Sequence, residues 1–176
     1  MQTNALPAYR ADDNPTGCCP RFDPQGWDGQ ELHFKNKPFV RVTTRSEQYV
    51  PVDMGPVFQA TFTAISEAGA HDNNDFIVLS RDLSPSQAEH YFSVSKPVPG
   101  QEMVHLSGDY LTMVLEGPFE EAAAWPDEIR AAVGAGNMDT GTIYYFYTTC
   151  PKCAEVYGKN YVVSVAELIG APASAT

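Results

Sequence analysis

The chain has 176 residues, of which 43% are hydrophobic, so it can bury one core of ordinary domain size. Its formal net charge of -11, without a dense basic patch, disfavours nucleic acid and anionic membranes as partners. No apolar run reaches the roughly 18 residues of a membrane span, and residues 1–17 are too polar for a signal peptide, which predicts a cytoplasmic protein.

The N-terminal part divides into two segments. Residues 1–17 are polar and turn-forming without periodicity, which predicts a flexible arm. From residue 18 to residue 38 the chain is dense in proline, glycine and aromatics, and Phe22, Trp27 and Phe34 would otherwise be left in water. We therefore expect an ordered coil wrapped on a single domain over residues 18–170, followed by a tail over 171–176.

A first β-α-β-β unit is predicted over about residues 39–97. Residues 39–52 alternate loosely between apolar and polar types and predict a strand. After Gly55-Pro56, apolar residues at helical spacing predict a helix that ends at Gly69. Two further strands are predicted over residues 75–80 and 91–96, separated by a polar loop that contains Pro85.

The same order of elements returns over about residues 101–168. The second unit consists of a strand over 104–115, a turn at Gly117-Pro118, a helical stretch that ends at Gly134, and strands over 142–148 and 161–168. Because Pro126 would break this helix internally, we expect two short helices or a kink at Trp125.

Two such units predict an internal duplication. One small sheet with one helix cannot bury its apolar face alone, whereas two copies can pair their strands and leave a cleft between them. The predicted fold class is α+β, with duplicated β-α-β-β halves, two main helices and a central cleft.

All four cysteines lie in two short-range pairs, Cys18-Cys19 and Cys150-Pro151-Lys152-Cys153. The C-x-x-C spacing places two thiolates within reach of one tetrahedral zinc ion at a turn. Four sulfurs also match four ligand positions. We predict a structural zinc site that fastens the N-terminal coil to the final hairpin.

Three alternatives remain open for these thiols. Cys150 and Cys153 could be a thiol-redox pair, although such a pair needs a cysteine at a helix start in a parallel α/β context. Neighbouring cysteines rarely both bind one ion, so His33 or water could replace Cys18 or Cys19. The thiols could also be simply reduced and free.

Two sets of residues carry a resemblance to known proteins. The half-repeats Tyr49–Gly69 and Tyr110–Gly134 resemble the GyrI-like small-molecule-binding fold, a SOUL-like effector-binding fold. The strings CCPRFDP (18–24) and YTTCPKCAEVYGKNYV (147–162) resemble a bacterial family whose members are often labelled hydrolases.

The GyrI-like resemblance implies an aromatic-lined cleft between the halves that holds flat, aromatic or cationic small molecules. In some relatives a cleft glutamate hydrolyses strained electrophiles, and it lies two residues before a tyrosine. The matching positions here are Tyr145 and Tyr147, so the acid is absent there.

Other residues could supply the chemistry or the binding. Glu89, which has the same spacing to Tyr91, and Glu116 could act as general base or acid with help from Tyr145, if aromatic walls raise the carboxyl pKa. Solvated edge charges explain both glutamates equally simply. The predicted aromatic ligand box consists of Tyr49, Tyr110, Trp125, Tyr145 and Tyr147.

The sequence therefore supports a small-molecule-binding domain that could hydrolyse a reactive compound. A structural zinc or thiol-redox protein is the alternative. Neither a catalytic zinc motif nor a serine nucleophile elbow is present in the sequence.

Overall fold

The order of elements is known from a computed structural model that describes residues 2–117 and 119–170. Position 118 of the predicted Gly-Pro turn and the predicted tail, 171–176, lie outside these residues. The elements are β1 (Glu31–Glu47), β2 (Val50–Pro51), α1 (Met54–Glu67), β3 (Val78–Ser84), β4 (Gln87–Ser93), β5 (Glu102–Glu116), a 3₁₀ helix (Phe119–Ala124), α2 (Trp125–Ala135), β6 (Met138–Tyr147), α3 (Pro151–Tyr157) and β7 (Tyr161–Gly170).

The strands form one antiparallel sheet with the order β2-β1-β4-β3-β6-β7-β5. The long strand β1 pairs with β4 and also with β5, so six of the strands close into a ring. The second pairing that closes the ring, between β3 and β6, consists of the single residue pair Ser80 and Tyr145. The two halves of the chain are thus joined by a long pairing between β1 and β5 and a short one between β3 and β6.

The strand order confirms the predicted duplication and the α+β class. The first half has the order β1-β4-β3 and the second the order β5-β7-β6, so each unit places its last strand in the middle. Helix α1 packs on the first half through Phe58 and Phe62, whose rings contact Phe92 of β4. Helix α2 covers the second half through Ile129 and Val133.

Several element boundaries differ from the predictions. Strand β1 begins at Glu31, eight residues before the predicted start, because the buried Leu32 and Phe34 extend its pairing along β5. Strands β3 and β4 run to within two residues of each other at Pro85, where a longer loop was predicted. Pro126 lies in the first turn of α2, directly after the 3₁₀ helix, which confirms two short helices.

The N-terminal coil lies against the inner face of the closed sheet, the face that carries Phe39, Tyr91, Tyr110, Tyr144 and Phe146. Trp27 is fully buried there, with its ring 5.7 Å from that of Phe146. The Trp27 indole N–H donates to the Ala8 carbonyl, and Tyr9 contacts Phe146. The structure therefore places residues 2–17 on the domain where a flexible arm was predicted, because Tyr9 and Leu6 pack on the core.

None of the helices within residues 2–117 and 119–170 has the length and apolar character needed to cross a membrane.

Candidate functional site

The four cysteines meet at one point, between the N-terminal coil and the β6–β7 connection. Their sulfur atoms all lie within 4.8 Å of one another. Cys153 is buried, Cys18 is exposed, and the other two are half-buried. Residues separated by more than 130 positions in the chain are thus brought together as the sequence predicts.

Helix α3 positions the second cysteine pair. Cys150 is its N-cap residue, and Pro151 opens the first turn. Gly158, whose φ of 70° is in the left-handed region, follows the last helical residue and ends the helix. The sequence predicts a turn here, and the structure has a short helix. Because Cys153 follows three residues after the N-cap, its sulfur points back toward the helix start beside Cys150.

Hydrogen bonds around the sulfurs link the N-terminal coil to α3. The backbone N–H of Cys150 donates to the Cys19 sulfur at 3.3 Å. The Thr16 hydroxyl lies 3.3 Å from the Cys153 sulfur and 3.2 Å from the Tyr157 hydroxyl, which donates to the Cys19 carbonyl at 2.6 Å. The contact with Thr16 lowers the pKa of Cys153 to about 7, whereas burial raises the pKa of Cys19.

The donor set fits a tetrahedral thiolate site. A zinc ion with Zn–S bonds of about 2.3 Å requires sulfur–sulfur distances of about 3.8 Å. The Cys18 and Cys19 sulfurs are 3.8 Å apart, and no pair in the cluster exceeds 4.8 Å. His33 contacts Asp109 in the middle of β5 instead. The structure therefore does not bring this alternative ligand to the cysteine cluster.

A cavity of about 320 Å³ is lined by residues close in the chain to the cysteines, and we call it the coil cavity. One wall is the N-terminal coil, and the other is the segment that carries Cys150 and α3. The lining residues are Arg10, Asp13, Arg21, Phe22, Asp23, Pro24, Thr148, Thr149, Tyr157, Lys159 and Tyr161.

Glu89, a predicted catalytic acid, lies in a buried ion-pair network on β4. Its carboxylate accepts hydrogen bonds from Arg41 at 2.9 Å and from Arg81 at 2.5 Å, and only 2% of the residue is exposed. Burial raises the pKa of this carboxyl, but hydrogen bonds from the two arginines and Tyr91 lower it by more than burial raises it. The pKa of Glu89 therefore lies below its ordinary value. The raised pKa expected from aromatic walls is therefore wrong for Glu89.

Glu116, the other predicted acid, is half-exposed and pairs with Lys159 at 2.6 Å. It lies at the end of β5 and lines a second cavity of about 490 Å³ beside α2, together with Trp125, Glu121 and Glu128. Since Lys159 lines the coil cavity, the ion pair of Lys159 with Glu116 stands between the two cavities.

The predicted aromatic box is not assembled as one group. The rings of Trp125, Tyr145 and Tyr147 lie in a row, with centroids 6.2 Å apart between Trp125 and Tyr145 and 6.3 Å apart between Tyr145 and Tyr147, and Tyr147 is exposed. Tyr110 lies on the opposite, inner face against Phe34, and Tyr49 is exposed in the β1–β2 turn. The alternation of side chains along a strand explains this separation, because Tyr145 and Tyr147 share the outer face of β6.

Sequence reasoning did not find several residues that build this region. Arg41 and Arg81 reach Glu89 from neighbouring strands, and Thr16, Arg21 and Tyr157 surround the cysteines and the coil cavity. Arg21 and Tyr157 carried a signal, because they lie within the strings 18–24 and 147–162 that contain the cysteines.

Comparisons with known proteins place the chain in a family. A family described as "Bacterial hydrolase" matches residues 9–168. The chain belongs to this bacterial hydrolase family. Its matched range includes the cysteine cluster, both cavities and all of the predicted site residues.

Two solved structures resemble the fold. SAV2435 bound to tetraphenylphosphonium is 12% identical, with a TM-score of 0.48, and the match covers 81% of this chain and 94% of that one. A structure described as a bacterial transcription regulation protein from Staphylococcus aureus MU50 is 13% identical, with a TM-score of 0.45, covering 82% and 100%. No curated protein matches the chain.

Proposed function

We propose that this protein binds a small molecule in the coil cavity, and that Cys18, Cys19, Cys150 and Cys153 hold one structural zinc ion that fastens the cavity walls together. The observation that carries the proposal is the position of the cysteines: the two pairs, which meet within 4.8 Å, belong to the two chain segments that form the opposing walls.

The chain order supports this link between metal and cavity. Only Pro20 separates Cys18 and Cys19 from Arg21 and Phe22 of the coil wall, and Cys150 directly follows Thr148 and Thr149 of the other wall. An ion that joins the pairs would fix the distance between the walls. Four thiolates in closed tetrahedral coordination leave no position for a reacting water, so the zinc is structural.

The size and lining of the cavity suit a small ligand. A volume of about 320 Å³ lies at the lower end of the range of ligand sites, roughly 300 to 1,000 Å³. Phe22, Tyr157 and Tyr161 supply aromatic surface, and a few charged groups and hydroxyls supply polar contacts. This site differs from the central cleft that the sequence suggested, because Trp27 and Phe22 of the coil pack on Phe146 of the inner face.

Metal content tests the zinc part of the proposal. We expect about one zinc ion per chain in untagged protein by mass spectrometry, its loss in Cys153→Ser, and its retention in the matched control His33→Gln. Wild-type protein without metal would contradict the zinc site and favour the thiol-redox alternative.

Blocking the cavity tests the binding part. Thr149→Phe places a ring in the coil cavity, so compounds that shift the melting temperature of the wild type should lose that effect. Thr63→Phe, on the exposed side of α1, is the control. Zinc content measured in parallel shows that the variant has kept its walls. Unchanged binding in Thr149→Phe would place the ligand elsewhere.

Hydrolysis of a reactive small molecule is the second candidate. The support for this candidate is that Glu116 and Trp125 line the second cavity together. If the protein hydrolyses 4-nitrophenyl acetate, Glu116→Gln should lower the rate and the exposed control Glu31→Gln should not. Turnover that survives in both Glu116→Gln and Glu89→Gln would exclude these acids.

A further inference from the structure

We infer that the coil cavity selects an anionic ligand, one that carries a carboxylate or a similar acidic group on a flat apolar body. This inference rests on the proposed function and names the class of compound for the same site. It is opposite in charge to the cationic ligand that the sequence suggested.

The charge of the lining is the first observation. Three of the eleven lysines and arginines of the chain, Arg10, Arg21 and Lys159, line this one cavity, in a protein with a net charge of -11. Two aspartates, Asp13 and Asp23, also line it, and Lys159 pairs with Glu116, so the two arginines are the cations that remain for a ligand. Arginines in the wall of a cavity attract anions locally, even in an acidic protein.

The arginines are weakly engaged by the protein itself. Arg10 lies 3.9 Å from Asp12 and Arg21 lies 4.0 Å from Asp13, both at the outer limit of an ion pair. Each guanidinium has five N–H donors in a planar fork that suits a carboxylate. These long contacts leave donors for a bound acid.

A buried hydroxyl gives a second, independent observation. Thr149 lines the cavity and is only 8% exposed, and its Oγ1 has no hydrogen-bond partner among the residues described. The neighbouring Thr148 hydroxyl, in contrast, donates to the Tyr161 carbonyl at 2.7 Å. Leaving a buried hydroxyl unpaired is costly, so Thr149 is suited to donate to a ligand oxygen.

The apolar part of the lining sets the shape of the ligand. The Arg21 guanidinium lies 5.2 Å above the Tyr157 ring, and Phe22 and Tyr161 pack with their ring centroids 6.1 Å apart. Flat rings next to a stacked guanidinium favour a planar body beside the acidic group.

A matched pair of probes tests the charge preference. Naphthalene-2-carboxylate and naphthalene-2-methylammonium share one ring system and differ in charge, and calorimetric titration measures their affinities. We expect the carboxylate to bind more tightly, and Arg21→Gln to weaken it about two- to fivefold, the effect of one exposed charge pair. Arg130→Gln on α2, outside the cavity, is the control and should leave the affinity unchanged.

The outcomes separate this inference from the proposed function. If the ammonium probe binds as tightly as the carboxylate and Thr149→Phe abolishes both, the cavity is a ligand site without anion preference, and this inference alone fails. If neither probe binds zinc-loaded protein, the anion preference is wrong, and the coil cavity is not a binding site for such ring compounds. Loss of carboxylate binding in Thr149→Val, with zinc retained, would support the role of the hydroxyl.

Discussion

Buried His90 should make the stability of this protein depend on pH below neutrality. The residue is 1% exposed and lies under the ring of Phe58, 4.8 Å away between centroids. Its Nε2 lies 2.8 Å from the Thr44 hydroxyl and its Nδ1 lies 2.7 Å from the Ser80 hydroxyl. Burial lowers the pKa of His90 to about 4, and the negative charges of Glu89 and Asp53 oppose this only in part.

The sign and size follow from proton binding in the two states. In the unfolded chain His90 takes up a proton near its ordinary pKa of about 6.5, whereas the folded protein resists protonation down to a pKa of about 4. The unfolded state therefore binds more protons between these values, and the free energy of unfolding falls as the pH falls. The loss amounts to about 2 kcal/mol at a pH of about 5 and about 3 kcal/mol at a pH of about 4.

Urea unfolding of wild type and His90→Gln at several pH values between neutrality and about pH 5 measures this effect. The glutamine keeps polar contacts to Thr44 and Ser80 but does not titrate, so its curve should be flatter by the amount above. Contributions from the cysteine site and from the other histidines are common to both proteins and cancel in the difference. Parallel pH curves for the two proteins would refute the reasoning.

Three further changes have expected outcomes that unfolding and metal measurements can check. Glu89→Gln leaves Arg41 and Arg81 without their buried partner and should lower the free energy of unfolding by about 2–3 kcal/mol. This is less than for a fully buried ion pair, because both arginines reach solvent. A decrease below about 0.5 kcal/mol in urea unfolding would contradict this. Trp27→Ala removes the fully buried ring between the coil and the inner face and should cost about 3–5 kcal/mol, with faster proteolysis of the coil as a second readout. Gly158→Ala introduces a side chain at a φ of 70° and should lower stability by about 1 kcal/mol, whereas Gly134→Ala, inside α2, should not.

Local patterns predicted the elements that depend on neighbouring residues. The alternation in residues 144–147 correctly places Tyr145 and Tyr147 on one face and Tyr144 and Phe146 on the other. What the alternation cannot tell is which face points inward, because both faces carry aromatic residues. The choice of Tyr145 and Tyr147 as cleft residues followed from that ambiguity; Tyr145 packs against α2, whereas Tyr147 is exposed.

Long-range contacts were predicted only where chemistry limited the choices. The cysteine cluster could be predicted because four thiols and one tetrahedral ion leave few arrangements. The environment of Glu89 could not, because it depends on the register that places Arg41 of β1 and Arg81 of β3 on either side of β4. A shift of one residue in either register would point the arginine to the other face.

The coil explains why we propose a ligand site away from the inner face. A duplicated sheet that closes on itself leaves an inner face that must be filled by side chains, by a ligand or by another segment. Here Trp27 and Phe22 of the coil cover it, joined through Phe146 to Tyr9 and Phe76. The cysteines lie where the coil meets the second half, so a metal ion held there would anchor the coil. The cavity then forms at the edge of the covered face, so its shape depends on the anchor. Ligand binding and metal loading should consequently be lost together when the coil is released.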